Sequence, residues 1–173
     1  DYTPLTPVIT MEEALSPQAP RIHDFAENNI ASVRKVRYGD VEAGFREADH
    51  IFAGEFETQP QEHATMEPMA AIALFDPQGN LTVWTCTQTP FKEKSILSRA
   101  FGIPQHKIRI IVPAIGGGFG GKDVQMRIIY ICVALAVKCS GRPVKAVHNR
   151  EEDLVCDTIR HPAKIHLKTG VKK

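Results

Sequence analysis

A chain of 173 residues, 43% apolar and 24% charged, has ordinary globular composition and enough length to bury one good core with an appended piece. Its net charge of +1 announces neither a nucleic-acid nor a membrane partner. The longest apolar run, residues 128–137, is about half of what a helical bilayer span needs, so no membrane segment is expected.

Residues 1 to about 38 are broken by Pro4, Pro7, Pro17 and Pro20, and hold one short helical piece near Met11 to Leu15. No core pattern develops there, so the stretch reads as the tail of a preceding domain plus a connector. Asp40 then caps a predicted amphipathic helix, Val41 to Ala48. A strand follows over His50 to Thr58, with Phe52 and Phe56 on one face. After a polar cluster at Gln59 to His63 comes a hairpin, Ala70 to Phe75 and Leu81 to Thr87, turning at Asp76-Pro77-Gln78-Gly79-Asn80. Thr89 and Pro90 open a helix whose buried side is predicted as Phe91, Ile96, Leu97, Ala100 and Phe101, and Gly102 and Pro104 stop it. A strand over Lys107 to Val112 leads into a glycine-rich stretch. Asp123 is placed to cap the next helix, which begins about Met126 and runs to about Ser140. A strand at Val144 to His148, a helical turn at Glu151 to Leu154 and a last strand at Ala163 to Lys168 complete the chain. Strands and helices interleave, so the class is α+β (mixed α/β). The opening Asp1-Tyr2-Thr3-Pro4 and the closing Thr169 to Lys173 read as cut from something larger.

Five of the twelve glycines sit at Gly116, Gly117, Gly118, Gly120 and Gly121, between a strand and a helix. Such a loop tolerates positive φ, lets a ligand approach the backbone and offers amide donors to an anion. Two nucleotide loops fit it imperfectly. Gly116, Gly118 and Gly121 match G-x-G-x-x-G, but no acidic residue follows at the required distance. Gly116, Gly121 and Lys122 match a phosphate-binding loop, but Asp123 stands where a hydroxyl should hold Mg²⁺.

Gln61, Glu62 and His63 form a second polar constellation. Glu62 and Glu67 are either an acid–base pair or, more simply, acceptors for loop amides. No paired histidine or H-E-x-x-H occurs, so no protein-ligated metal is expected. Cys86, Cys132, Cys139 and Cys156 lack C-x-x-C spacing and suit no iron–sulfur array. Cys132 and Cys139 fall on one face of the predicted helix, as packing residues would, and reduced thiols point to a cytoplasmic setting.

Several of these motifs, taken in order, resemble the molybdenum hydroxylases, the xanthine dehydrogenase and aldehyde oxidase family. They are Gln61-Glu62-His63, Glu67, Thr87-Gln88-Thr89-Pro90, Gly116 to Lys122 and Arg160-His161-Pro162. The resemblance covers essentially the whole chain. It implies residues 1–22 as the tail of a small α/β hammerhead-like domain and 23–49 as a linker with a short helix. Residues 50–173 then begin a molybdopterin-binding domain, a subdomain with a mixed sheet and packed helices. The implied cofactor is molybdenum held by a pyranopterin dithiolate, which brings its own sulfur ligands. Gln61 is implied as a hydrogen-bond partner of the metal centre. Gly117, Gly118, Phe119 and Gly120 are implied against it, so that a Cβ on a glycine would strain the loop or intrude on the cofactor. Lys122 is expected to matter less than the amides. Asp123 falls at the family's substrate-orienting glutamate and Gln125 at an arginine, which puts purine specificity in doubt. The implied reaction is hydroxylation of an N-heterocycle or aldehyde with water as oxygen source. The family's general base lies beyond Lys173, so no catalytic residue is assigned here and the piece is expected to be inactive alone. Iron–sulfur and FAD domains or subunits, and the rest of the molybdopterin subunit, are the implied partners. A nucleotide-binding module built on Gly116 to Asp123, or a non-catalytic scaffold, are the other readings.

Overall fold

A computed structural model describes residues 2–123, 127–139 and 141–173. The expected helix boundaries at Met126 and Ser140, and Gln125, lie outside them. The chain divides into two compact units, one of residues up to Phe52 with Lys168–Lys173, the other Ala53–Leu167.

In the first unit, α1 (Met11–Leu15) is short but well closed. Thr10 accepts from the Glu13 N–H, and the Glu13 carboxylate accepts from the Thr10 N–H, a reciprocal capping box. Asn29 gathers the proline-rich stretch: its amide donates to the carbonyls of Ala14 and Pro20, and its oxygen accepts from the Ile22 N–H. The helix α2 (Val41–Glu47) is capped by Asp40 as expected, through the Ala43 N–H. It lies against the end of β6 (Ala163–Val171), where a Cβ on Gly170 would come within 3.0 Å of Ala48. The last strand thus runs past the predicted Lys168. It pairs with β1 (His50–Thr58) in a two-stranded ribbon, of which residues 53–58 and 163–167 belong to the second unit. Phe52 and Phe56 are 63% and 57% exposed, so the apolar face read for β1 has no core under it.

The second unit is built on a four-stranded sheet. Its hairpin is β2 (Ala70–Phe75) and β3 (Leu81–Thr85), antiparallel with Ala71 opposite Thr85 and Phe75 opposite Leu81. Alternation decides the buried face, with Leu81, Val83 and Thr85 inward. The strand β4 (Ile108–Ile111) runs parallel to β3, and β5 (Val144–Val147) antiparallel to β2, giving the order β4-β3-β2-β5. Between these edge strands the chain crosses over in α4 (Arg127–Lys138), which packs chiefly on β2. The small side chains of Ala71 and Ala73 let it come close, and Cys132 Sγ sits 3.4 Å from the Ala71 carbonyl. Ile128, Ile129 and Val133 are essentially inaccessible to solvent. Each contributes roughly 1.5–3 kcal/mol by burial. Cys132 is buried but Cys139, just past the end of α4, is exposed, so the two do not share a packed face.

The helix α3 (Pro90–Phe101) departs from expectation in its buried side. Leu97 is buried, but Phe91 is 85% exposed and Ala100 is exposed, while Glu93 is wholly buried. The reason is a polar partner from far along the chain: the Tyr130 hydroxyl on α4 donates to Glu93 at 2.9 Å. The turn read at Glu151 to Leu154 is a full helix, α5 (Arg150–Cys156), closed by an Asn149–Glu152 capping box.

Candidate functional site

The glycine loop lies wholly in the second unit and is anchored directly by two segments, one of which is itself braced by a third. The first anchor is the segment after β1. The N–H of Glu67 donates to the Gly116 carbonyl at 3.1 Å, and the Gly116 N–H donates to the Glu67 carboxylate at 2.8 Å. The same carboxylate oxygen accepts from Lys122 Nζ at 2.8 Å. One glutamate therefore ties both ends of the loop. Glu62 accepts from the Ala64 N–H in its own turn, so both carboxylates serve backbone or lysine, the simpler of the two roles read for them. Burial would raise the Glu67 carboxyl, but the bonds from Lys122 and Gly116 and the lysine charge together hold it below its usual range.

A second anchor is the strap after β3. The Gln88 N–H donates to the Lys122 carbonyl at 2.7 Å, and the Thr89 hydroxyl to the Asp123 carbonyl at 2.8 Å. Thr89 opens α3 but makes no side-chain cap, because its hydroxyl is spent on the loop. The Gln88 amide oxygen accepts from the Gly120 N–H at 3.1 Å. Sequence reasoning did not single out Gln88, although it stands inside the Thr87-Gln88-Thr89-Pro90 motif.

The brace comes from α5 and the residues after it, which hold the 61–69 segment that carries Glu67. Arg150 donates to the Thr65 and Met66 carbonyls, and buried Asp153 accepts from the Met69 N–H at 2.9 Å. Gln61 and Arg160 exchange backbone bonds at 3.1 and 2.8 Å. The Gln61 side chain is exposed and donates to the Glu62 carbonyl. Among the described residues it makes no bond to the glycine loop.

Gly117 and Gly120 take positive φ, +99° and +94°, as does Phe119 at +51°. That conformation costs a phenylalanine on the order of 1 kcal/mol. Gly118 does not share it. A Cβ there would meet the Gln88 amide at 2.5 Å, and one on Gly116 would meet the Glu67 Cβ at 2.5 Å. A Cβ on Gly121 would lie 2.7 Å from His63 Nδ1 and 3.1 Å from Asp157 Oδ2. The glycines at 116, 118 and 121 are therefore needed for packing against the protein beneath, not for clearance of a ligand above. What the loop presents outward is Phe119, 78% exposed.

Lys122 is the largest wholly buried side chain among the described residues, so it is a structural member of the site rather than a group facing a ligand. A phosphate-loop lysine must reach its ligand, and an enclosed ammonium held by Glu67 does not, which weighs against the nucleotide reading. Asp123 is half-buried and lies 3.8 Å from Lys92 Nζ. Burial raises the Asp157 carboxyl. The Thr158 N–H opposes that, the charges of Glu62 and Asp153 add to it, and His63 offsets part.

Of the segments whose order carried the resemblance, those with His63, Glu67 and Gln88 meet the glycine loop, and the Arg160 segment pairs with Gln61 beside it. A family model described as a molybdopterin cofactor-binding domain matches residues 22–173. This chain belongs to that family, within the molybdenum hydroxylases. The domain is 36% identical over all its 173 residues to the nicotinate dehydrogenase large molybdopterin subunit of Eubacterium barkeri, spanning 40% of that protein. It is 33% identical over 173 residues, 99% of the chain, to the xanthine dehydrogenase/oxidase of Gallus gallus, spanning 12% of it. Among solved structures, quinoline 2-oxidoreductase from Pseudomonas putida 86 matches 99% of the domain with a TM-score of 0.80 at 25% identity, and 22% of that chain is covered. The chain spans less than half the length of these relatives.

Proposed function

We propose that this domain forms one wall of the molybdenum cofactor site of a hydroxylase that oxidises N-heterocycles. The supporting observation is the glycine loop, whose underside is bonded to Glu67 and Gln88 and lies against His63 while Phe119 is held outward in a strained conformation. The residues fit a cofactor that carries its own sulfur ligands: near this loop they offer glycine backbone, amide side chains and an exposed ring, with no thiolate. Gln61, Gly117, Gly118, Phe119 and Gly120 would hold it, Gln61 by its side-chain amide, Gly120, whose N–H is already taken by Gln88, by close backbone approach, and Phe119 by contact. When bound, the molybdenum centre supplies the oxygen-transfer and two-electron chemistry. The domain's own residues shape the wall, exclude water and place donors. Asp123, with its side chain 44% exposed, is the residue assigned to substrate.

The names of two relatives, a nicotinate dehydrogenase and a quinoline 2-oxidoreductase, both denote N-heteroaromatic substrates and support that class, with an aldehyde as the alternative that an indole-3-acetaldehyde oxidase among the relatives keeps open. Iron–sulfur and FAD domains or subunits would carry electrons away, in a cytoplasmic enzyme of which residues 1–22 close a hammerhead-like domain and 23–49 link it onward. The test is Phe119→Gly in the full-length enzyme. Relieving the positive φ should leave stability unchanged or raise it by about 1 kcal/mol, while turnover falls. Unaltered turnover and molybdenum content would place the loop away from the cofactor.

A further inference from the structure

One cluster is absorbed neither by the loop's anchors nor by the proposed cofactor wall. Glu62 and His63, in the turn after β1, meet Asp157, the residue that ends α5, with one donor atom of each within 4.8 Å of the others. The orientation of each is set by its own backbone. Glu62 spends one carboxylate oxygen on the Ala64 N–H, at a turn where Ala64 takes φ +48°. Asp157 spends Oδ1 on the Thr158 N–H at 2.6 Å, which leaves Oδ2. That oxygen and His63 Nδ1 both close on Gly121, where a Cβ would displace them. An independent observation is that His63 Nδ1 is shut off from solvent and has no hydrogen-bond partner among the described residues. Burying a polar atom unpaired costs roughly 1–3 kcal/mol.

We propose that Glu62, His63 and Asp157 form a divalent-cation site, with Zn²⁺ the best match. One imidazole nitrogen with two carboxylate oxygens suits a borderline first-row ion, whereas Ca²⁺ asks for six or more oxygens. Donors about 2.0–2.2 Å from a tetrahedral zinc stand roughly 3.4 Å apart, so the observed cluster must contract by up to about 1.4 Å. Three protein ligands leave the fourth position to water. The ion neutralises two crowded carboxylates and gives Nδ1 its partner. It also staples the turn after β1 to the end of α5, directly under the C-terminal half of the glycine loop. Motif spacing missed the site because Asp157 is remote in sequence from the other two ligands.

The test uses the full-length enzyme with its molybdenum loaded, stripped of loose cations by a chelator and dialysed against excess ZnCl₂. Zinc and molybdenum are measured in the same sample by mass spectrometry, alongside a thermal melt with and without zinc. The wild type is expected to retain a single zinc per chain and to melt higher with it. Asp157→Asn and Glu62→Gln should each weaken zinc binding about tenfold or more, with molybdenum unchanged. Should Asp157→Asn lose molybdenum, Glu62→Gln decides, since its amide oxygen still accepts from Ala64. No zinc uptake by the wild type, or equal uptake by wild type and variants, overturns the proposal. Because molybdenum is read separately, failure here leaves the cofactor assignment standing.

Discussion

The glycine loop has two faces of opposite character. Beneath, nearly every contact is a satisfied one: Glu67 takes an amide and an ammonium, Gln88 takes an amide, and Lys122 is enclosed entirely. Above, Phe119 stands 78% exposed with its backbone in a conformation few side chains adopt. A turn required only to reverse the chain would show the strain without the scaffolding. Here two separate segments, one braced by α5, are committed to holding one exposed tip, which is how a binding surface is made rigid before its ligand arrives. The faces should therefore respond to mutation in different ways, the lower in stability and the upper in turnover.

The largest expected effect is on the lower face. Lys122→Ala removes a buried stem and leaves the Glu67 carboxylate without its cation. With Glu67 about a third exposed, the loss should be about 2–4 kcal/mol, below that of a fully buried pair. Lys122→Met restores the packing but not the charge and should recover part of it. Melting of the two variants in the full-length protein separates packing from pairing. Wild-type stability in Lys122→Ala would mean the underside is not what holds the loop.

Next comes Gln61→Ala. Its side chain is exposed, so melting should be unchanged. If its amide serves the reacting centre, turnover should fall on the order of 10²-fold with molybdenum retained. A molybdenum-replete variant with normal turnover would remove Gln61 from the cofactor wall, and the contrast between the faces would then rest on Phe119.

Element positions were legible from the chain because they depend on local chemistry. Asp40, Pro90, Gly102 and the alternation of Leu81, Val83 and Thr85 act within a few residues. What escaped was set by distant partners. Glu93 is buried because Tyr130 reaches it, Thr89 forgoes its cap for the Asp123 carbonyl, and Lys122 is enclosed because Glu67 waits there. The loop was legible as a glycine-demanding stretch. The reason for each glycine was not: the Cβ directions at 116, 118 and 121 lead to Glu67, Gln88 and His63, none adjacent in sequence. Asp157 had no signal of its own, since a single aspartate after a short helix looks like any surface carboxylate.

The smallest expected effect concerns pH and sharpens the lower face further. The Glu67 carboxyl is held below its usual value in the folded domain, so in the acid range the unfolded chain binds the extra proton. Stability from this group therefore rises with pH there. It is fully present above the ordinary glutamate value and is lost as pH falls through the lower, folded one. Partial exposure of the carboxylate limits the contribution to about 1 kcal/mol or less. Glu67→Gln keeps an acceptor for the Gly116 N–H and for Lys122 but cannot titrate. The melting difference between wild type and Glu67→Gln, followed from neutral to acid pH, should favour the wild type at neutrality and narrow as pH falls. A difference that stays constant through the carboxylate range would show that the charge of Glu67 contributes nothing, and that the loop's ends are tied by hydrogen bonding and packing alone.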